Sequence, residues 1–478
     1  MSTGQPAPGA WASLAVVAAG LFLAVTSTTV VSVALPTIGA DLHATATDLE
    51  WIVDAYVIVY SSLLVAGGVI GDRLGRKGLF LAGVATFGAG SLAAGLAPTA
   101  GVLIAARALQ GLGPALLVPG SLTIIRASFA DERRRAVAIG LWSTASGVAL
   151  AVGPVLGGAL VEAGGWPWVF LFNVPLAAIL VALAGALLPR LPRAPAGARF
   201  DFAGAAATTA GVGLLAYATI EGPGLGWGSP VVLAALAAGV AALAALVAWE
   251  RRARGPLIDV TLFARPAFTA ANLAALVVFF AFVGAIVYFS AYFQQVQHHT
   301  AIAAGVDVSA IGVAFAVAAS QSGRLVARFG PRRPMIAGLV IAAGATLGLL
   351  RLGVSTGIGA IWWDFALLGA GVGVSLTPMT AVAMSAVSAG QAGMVSAVHN
   401  ALRQLGQVFG VAVLGALVYA QLPPAASAGR PLPARQAGLF VSGLHGAIWV
   451  SGSALLGAAV LAGLMFWRQP PMRNDGAR

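Results

Sequence analysis

The sequence predicts an all-α integral membrane protein, and three observations carry that prediction. Of 478 residues, 59% are hydrophobic and 9% charged, with a mean hydropathy of +0.93, far too apolar for a water-soluble globule. Apolar runs of about 20 residues, enough to cross about 30 Å of hydrocarbon, recur along the whole chain. Arginine gathers between alternate runs rather than on one wetted face, so the net charge of +11 does not point to nucleic acid as a partner. Cysteine is absent, which excludes disulfides, thiol catalysis and thiolate metal sites.

Fourteen runs read as spans, at about residues 14–36, 51–70, 79–96, 102–125, 136–160, 168–188 and 202–220, then 231–249, 268–293, 301–320, 335–352, 358–379, 395–420 and 439–467. The first continues into TSTTVVSVALP with no cleavage site, so it is read as a retained span. An even number of spans puts both termini on one side. Loops after spans 2, 4, 6, 8 and 10, with the C-terminal tail, hold 21 of the 26 Lys and Arg residues. That bias makes the terminal side cytoplasmic and leaves the acidic ADLHATATDLE stretch as an outer loop.

GVIGDRLGRKG (residues 68–78) recurs in weakened form as SGRLVARFGPRR (residues 322–333). Superposing Gly75 on Gly330 pairs Arg73 with Arg328 and Lys77 with Arg332. Spans 1–6 and 9–14 therefore read as two related six-helix bundles, residues 1–190 and 266–478, with two additional transmembrane helices inserted at 191–265. Parallel halves of that kind, with a site at their interface, are a recurrent transporter plan.

The loop GVIGDRLGRKG supplies glycines for a tight turn and, in Asp72, Arg73, Gly75 and Arg76, a set that can latch two helices in one conformer and release them in another. It resembles the loop between spans 2 and 3 of the major facilitator superfamily. LIAARALQGLGPA (103–115) resembles that superfamily's span 4 motif, with Arg107 in its middle, and STASGVALAVGPVLGG (143–158) its span 5 antiporter motif. Gly140, Gly153, Pro154, Gly157 and Gly158 match the latter, while Ala149 stands where glycine is usual. With WIVDAYV (51–57) and HNALRQLGQ (399–407), the chain resembles the 14-helix drug:proton antiporters, and actinobacterial antibiotic exporters most. The resemblance implies the major facilitator fold and a bacterial cytoplasmic membrane. It further implies export of small amphipathic organic compounds by alternating access, as a monomer among lipids, in exchange for protons and with no other cofactor.

One departure matters: TSTTVVSVALP places Ser27 where such antiporters usually carry a span 1 aspartate. Either another acid couples protons or the coupling differs; Asp54, Asp364 and Asp307 are the candidate acids, with Arg107 in a buried network pairing first with Asp54 and second with Asp364. A facilitator or importer is the alternative within transport, and a non-transporting membrane sensor the alternative outside it. His399, Asn400, Arg403, Gln404 and Gln407 form a polar stripe at helical spacing, which lines a cavity or packs on a polar neighbour. Tyr288 and Tyr292 share a face at i, i+4 and could stack flat or cationic substrates; a lipid-facing stripe fits equally. Ser27, Tyr56 and Trp142 complete the substrate-binding candidates. His298 and His299 read as a solvated turn rather than a metal site. No GxxxxGK[ST] pattern and no nucleophile–base constellation appear, which argues against an ATPase and against an enzyme.

Overall fold

The computed structural model describes residues 9–129, 131–191, 202–252, 260–385, 392–423 and 431–467. Helices dominate them and no strand occurs among them. Fourteen long helices follow in order: α1 (Ala10–Leu42), α2 (Ala46–Leu74), α3 (Arg76–Gly95), α4 (Ala100–Ser128), α5 (Glu132–Gly164), α6 (Trp168–Leu187, interrupted at Phe172) and α7 (Phe202–Leu225). The rest are α8 (Pro230–Glu250), α9 (Pro266–Ala291), α10 (Ala301–Phe329), α11 (Arg332–Gly348), α12 (Ile358–Ser385), α13 (Ala392–Tyr419) and α14 (Ala434–Trp467). Twelve contain stretches long and apolar enough to cross a membrane. The other two, α2 and α7, are 29 and 24 residues long and pack alongside them.

Local chemistry sets several helix starts. Thr45 and Asp48 form a capping box: Asp48 N–H donates to Thr45 Oγ1 at 3.1 Å, and Thr45 N–H donates to Asp48 Oδ2 at 2.8 Å. As a result α2 begins at Ala46 rather than 51, and Glu50, expected in a loop, is helical. Gly75 alone links α2 to α3 at φ +102°, and Gly330 precedes α11 at φ +72°. Both values favour glycine. The two glycines superposed in the sequence thus share a backbone role.

Contacts repeat with an offset of eight helices. The pairs α1–α5, α2–α4, α3–α4 and α3–α6 of the first bundle have counterparts in α9–α13, α10–α12, α11–α12 and α11–α14 of the second. The additional pair, α7 and α8, packs together, with α7 lying against α2 and α13.

The bundles meet along α5–α10 and α2–α13, and the closest approaches lie toward the face opposite the termini, hereafter the distal face. A Cβ added at Gly158 would lie 2.4 Å from Ile302 Cα, and one at Gly305 would lie 2.3 Å from the Pro154 carbonyl oxygen. Pro154 has no N–H to offer the Leu150 carbonyl. Gly312 comes so close to that carbonyl that a Cβ there would sit 2.6 Å from it. Within the first bundle Gly153 and Gly157 lie against Thr29 and Val30 of α1 in the same way. Hydrogen bonds cross the seam as well: Ile302 N–H donates to Glu162 Oε1 at 2.8 Å, and Gln294 Nε2 donates to the Val33 carbonyl at 3.0 Å. Substituting Gly158 by leucine must part α5 from α10. Spin labels at Ala163→Cys and His298→Cys, in a chain otherwise free of cysteine, are expected to move apart by about 2 Å, the range over which contact side chains set interaxial distance; an unchanged distance would contradict this packing.

Candidate transport site between the bundles

Among the described residues, Arg107 is the largest side chain wholly withdrawn from the surface. Its Nε donates to the Ile52 carbonyl at 2.9 Å, and its Nη1 donates to Ser27 Oγ at 3.0 Å and to Gln110 Oε1 at 2.5 Å. The guanidinium lies over the Tyr56 ring, 4.3 Å from its centroid, and Tyr56 is pinned by a 2.7 Å hydrogen bond to the Ala24 carbonyl. Gln110 is oriented in turn by donating to Ser91 Oγ at 2.7 Å. Neutral oxygens and a ring face therefore solvate this cation, while Nη2 has no hydrogen-bond partner.

The expected pairing of Arg107 with Asp54 or Asp364 is corrected by this geometry. Asp54 is fully buried in α2, and neither of its carboxylate oxygens has a hydrogen-bond partner. Although Ile52 presents its carbonyl to Arg107, Asp54 belongs with Glu50, one turn away, and Tyr288 of the other bundle, groups within its Coulombic reach. Asp364 is held by Arg351 at the distal end of the second bundle. Asp307 is likewise engaged, at 2.7 Å from His299, whose ring stacks on Phe293. Of the three acids proposed for proton coupling, only Asp54 is unpartnered.

In α13, Arg403 mirrors Arg107. Its guanidinium sits 4.3 Å from the Phe279 ring centroid, and its Nη1 donates to Asn400 Oδ1 at 3.2 Å. Tyr60 of α2 is within its Coulombic reach, so this arginine faces the first bundle. Gln404 and Gln407 are bonded to each other beside it. His399 leaves that group, because it meets Asn272 Oδ1 at 3.0 Å and Thr380 Oγ1 at 3.2 Å, tying α9, α12 and α13 within the second bundle.

Tyr288 of α9 and Tyr292, in the π-helical turn that follows it, also part ways. Tyr288 donates to the Val411 carbonyl at 2.5 Å beside Glu50, whereas Tyr292 donates to the carbonyls of the 353–356 turn, away from the seam. Trp142 is partly buried, and its indole N–H has no partner. Arg76 opens α3 beside Gly71 and Gly120. Asp72 and Arg73 end α2, with side chains outside the described ones. The neighbouring Lys77 donates to the carbonyls of Gly185 and Leu188 at 2.7 and 2.8 Å, closing the C-terminus of α6. Glu50 was missed on sequence. Its signal was the spacing Thr45-x-x-Asp48, which starts the helix early enough to put Glu50 and Asp54 at i and i+4.

A profile described as Major Facilitator Superfamily matches residues 17–411. The chain is 32% identical to the tetracenomycin C resistance and export protein of Streptomyces glaucescens, over 95% of this chain and 91% of that protein. It is 36% identical to the multidrug efflux pump LfrA of Mycolicibacterium smegmatis, over 87% and 82% respectively. The methylenomycin A resistance protein of Streptomyces coelicolor is 35% identical over 84% of both chains. Among solved structures, a bacterial homolog of the human lysosomal transporter Spinster, inward-facing and unoccupied, superposes with a TM-score of 0.71 at 18% identity, covering 98% of this chain and 100% of that one.

A buried guanidinium that contacts no carboxylate costs stability, and apolar replacements of such charges are often neutral or stabilising. Arg107→Met is therefore expected to melt at or above the wild-type temperature in detergent. Arg107→Lys, which keeps the charge but loses the fork of donors, should melt lower than Arg107→Met. The opposite order would show that the charge is balanced by an unrecognised partner.

Proposed function

On the premise that the chain belongs to the major facilitator superfamily, we propose that it exports small amphipathic organic compounds, antibiotics among them, in exchange for protons by alternating access. The membrane is the bacterial cytoplasmic membrane, with both termini inside. Relatives named for antibiotic resistance, export and multidrug efflux support the substrate class. The seam supports the route, since Arg403 of the second bundle faces Tyr60 of the first across it, beside the Arg107, Ser27 and Tyr56 group buried within the first bundle, in a bundle pair drawn together at the distal face. In that arrangement the seam would open toward the termini to take substrate from inside, and Arg107 and Arg403 would present cationic walls softened by aromatic faces.

The observation that carries the coupling is Asp54, a buried carboxyl with both oxygens unpartnered, on a helix that touches both bundles. In the proposed cycle Asp54 takes a proton as the seam closes over it and releases the proton when water returns. Ser27 stays a neutral acceptor for Arg107, so the proton duty of a span 1 acid passes to α2. Ser27 also favours a second reading, facilitated diffusion without protons.

Proteoliposomes decide between these readings. Substrate-driven proton movement is expected in the wild type, lost in Asp54→Asn, and kept in Asp364→Asn, whose acid serves Arg351 instead. Retention in both variants would end the assignment of Asp54, and gradient-independent equilibration in the wild type would favour the facilitator. Dye accumulation unaffected by expression, in a host lacking its own exporters, would favour a sensor.

A further inference from the structure

Arg107 and Arg403 are held in unlike ways. Arg107 is enclosed within the first bundle by a carbonyl, a hydroxyl, an amide oxygen and a ring face. Arg403 has far less around it: its Nη1 donates to Asn400 Oδ1 at 3.2 Å, and the Phe279 ring centroid lies 4.3 Å away. Its Nε is buried with no hydrogen-bond partner. Among the described residues no carboxylate forms an ion pair with it.

The group that faces Arg403 from the first bundle is Tyr60. Tyr60 is 8% exposed, and among the described residues its hydroxyl has no hydrogen-bond partner. Arg403 lies about 16 Å along α13 from Ala392, and Tyr60 lies at the midpoint of α2. Both therefore stand near mid-membrane, the depth at which transporters built from paired bundles hold their substrates. The acids of α2 lie toward the distal face, Asp54 about 9 Å along the helix from Tyr60, and they act on each other and on Tyr288.

A buried carboxyl can shed its charge by taking a proton, but a guanidinium cannot lose its own in a protein. A permanent cation at this depth with one neutral acceptor is incompletely compensated, and an anion compensates it best. The guanidinium fork also matches two coplanar oxygens better than it matches a single carbonyl. We propose that Arg403, with Tyr60 opposite, is the recognition site for an acidic group on the exported compound, so that the substrates include aromatic acids, carboxylates or ionised phenols on an apolar ring body. This rests on reading the seam as the substrate route. Arg403 donates to the acid from the second bundle and the Tyr60 hydroxyl donates from the first, so a bound acid touches both.

The test uses the purified full-length protein in nanodiscs of zwitterionic lipid, where no net-anionic lipid competes. The probes share a naphthalene body and differ in head group: naphthoate, naphthylmethanol and naphthylmethyl-trimethylammonium. Binding is read by titration calorimetry at neutral pH, where the carboxylate is ionised. The wild type is expected to bind naphthoate at least about tenfold more tightly than the alcohol, the scale of a charge-assisted hydrogen bond. Arg403→Gln should abolish that preference and leave the affinity for the alcohol unchanged, which a merely misfolded variant would not do. Arg403→Lys should keep part of the preference, and Tyr60→Phe should weaken naphthoate binding a few-fold. Naphthoate bound no more tightly than the alcohol or the ammonium, binding of none of the three, or a preference that survives Arg403→Gln would overturn the assignment. If the alcohol or the ammonium still binds, that failure leaves the export reading standing for uncharged or cationic compounds. Absence of export from cells, with the naphthoate preference intact, would strike the export reading alone.

Discussion

The structure turns on how a cation is kept in an apolar interior without a counter-ion in contact. Arg107 is held by a carbonyl, a hydroxyl, an amide oxygen and an aromatic face, neutral groups whose dipoles replace water. Each is delivered by a different helix or turn: Ile52 and Tyr56 by α2, Ser27 by α1, Gln110 by α4 itself. Two further layers fix them, since Ser91 of α3 orients Gln110 and the Ala24 carbonyl of α1 fixes Tyr56. Placing one guanidinium thus fixes the relative positions of the first four helices. The second bundle repeats the device more loosely, with Arg403 over Phe279 and beside Asn400.

Closure between the bundles is of another kind. Along α5–α10 the contacts are backbone on backbone, with Gly158, Gly305 and Gly312 admitting the Ile302, Pro154 and Leu150 main chains. Such surfaces gain dispersion energy from close fit and lose roughly a quarter to a half of it over about an ångström of separation. Glu162 adds direction to the seam. By accepting the Ile302 N–H it caps the first turn of α10 from the opposite bundle, where helix N–H groups lack partners of their own. The helix's own Thr300 caps Ala303 N–H, so Glu162 meets a further donor, Ile302 N–H, from across the seam.

Much of this was legible in the sequence, and the misses have physical causes. Composition and span length give the helices, and the motifs around Gly75, Arg107 and Pro154 give the family. The depth of Arg107 followed from the cost of leaving a charge in hydrocarbon, and the structure buries it. Its partners did not follow. A cation in lipid suggests an acid, yet carbonyl and amide oxygens serve as well once four helices converge, and such convergence leaves no trace in residue spacing. Tyr288 and Tyr292 share a helical face, but the π-helical turn that begins at Tyr292 and the 353–356 turn draw the second hydroxyl away. Glu50 was hidden by apolar patterning, which starts at Trp51 and ignores the capping box that extends α2 to Ala46.

That extension also explains what the two additional helices rest on. Because α2 is helical from Ala46, Trp51 lies one turn in and its indole N–H donates to Glu221 Oε1 of α7 at 3.0 Å, while its ring tilts against Tyr217 at 6.2 Å. The contact of α7 with the second bundle runs along α13, where Gly406 and Gly410 are taken up by α9. A directional hydrogen bond resists sliding more than apolar packing does. The bond to Glu221 therefore ties α7 to α2 in a fixed register. The inserted pair thus rests on the first bundle through α2, the helix that also carries Asp54 and Glu50 and offers Arg107 the Ile52 carbonyl.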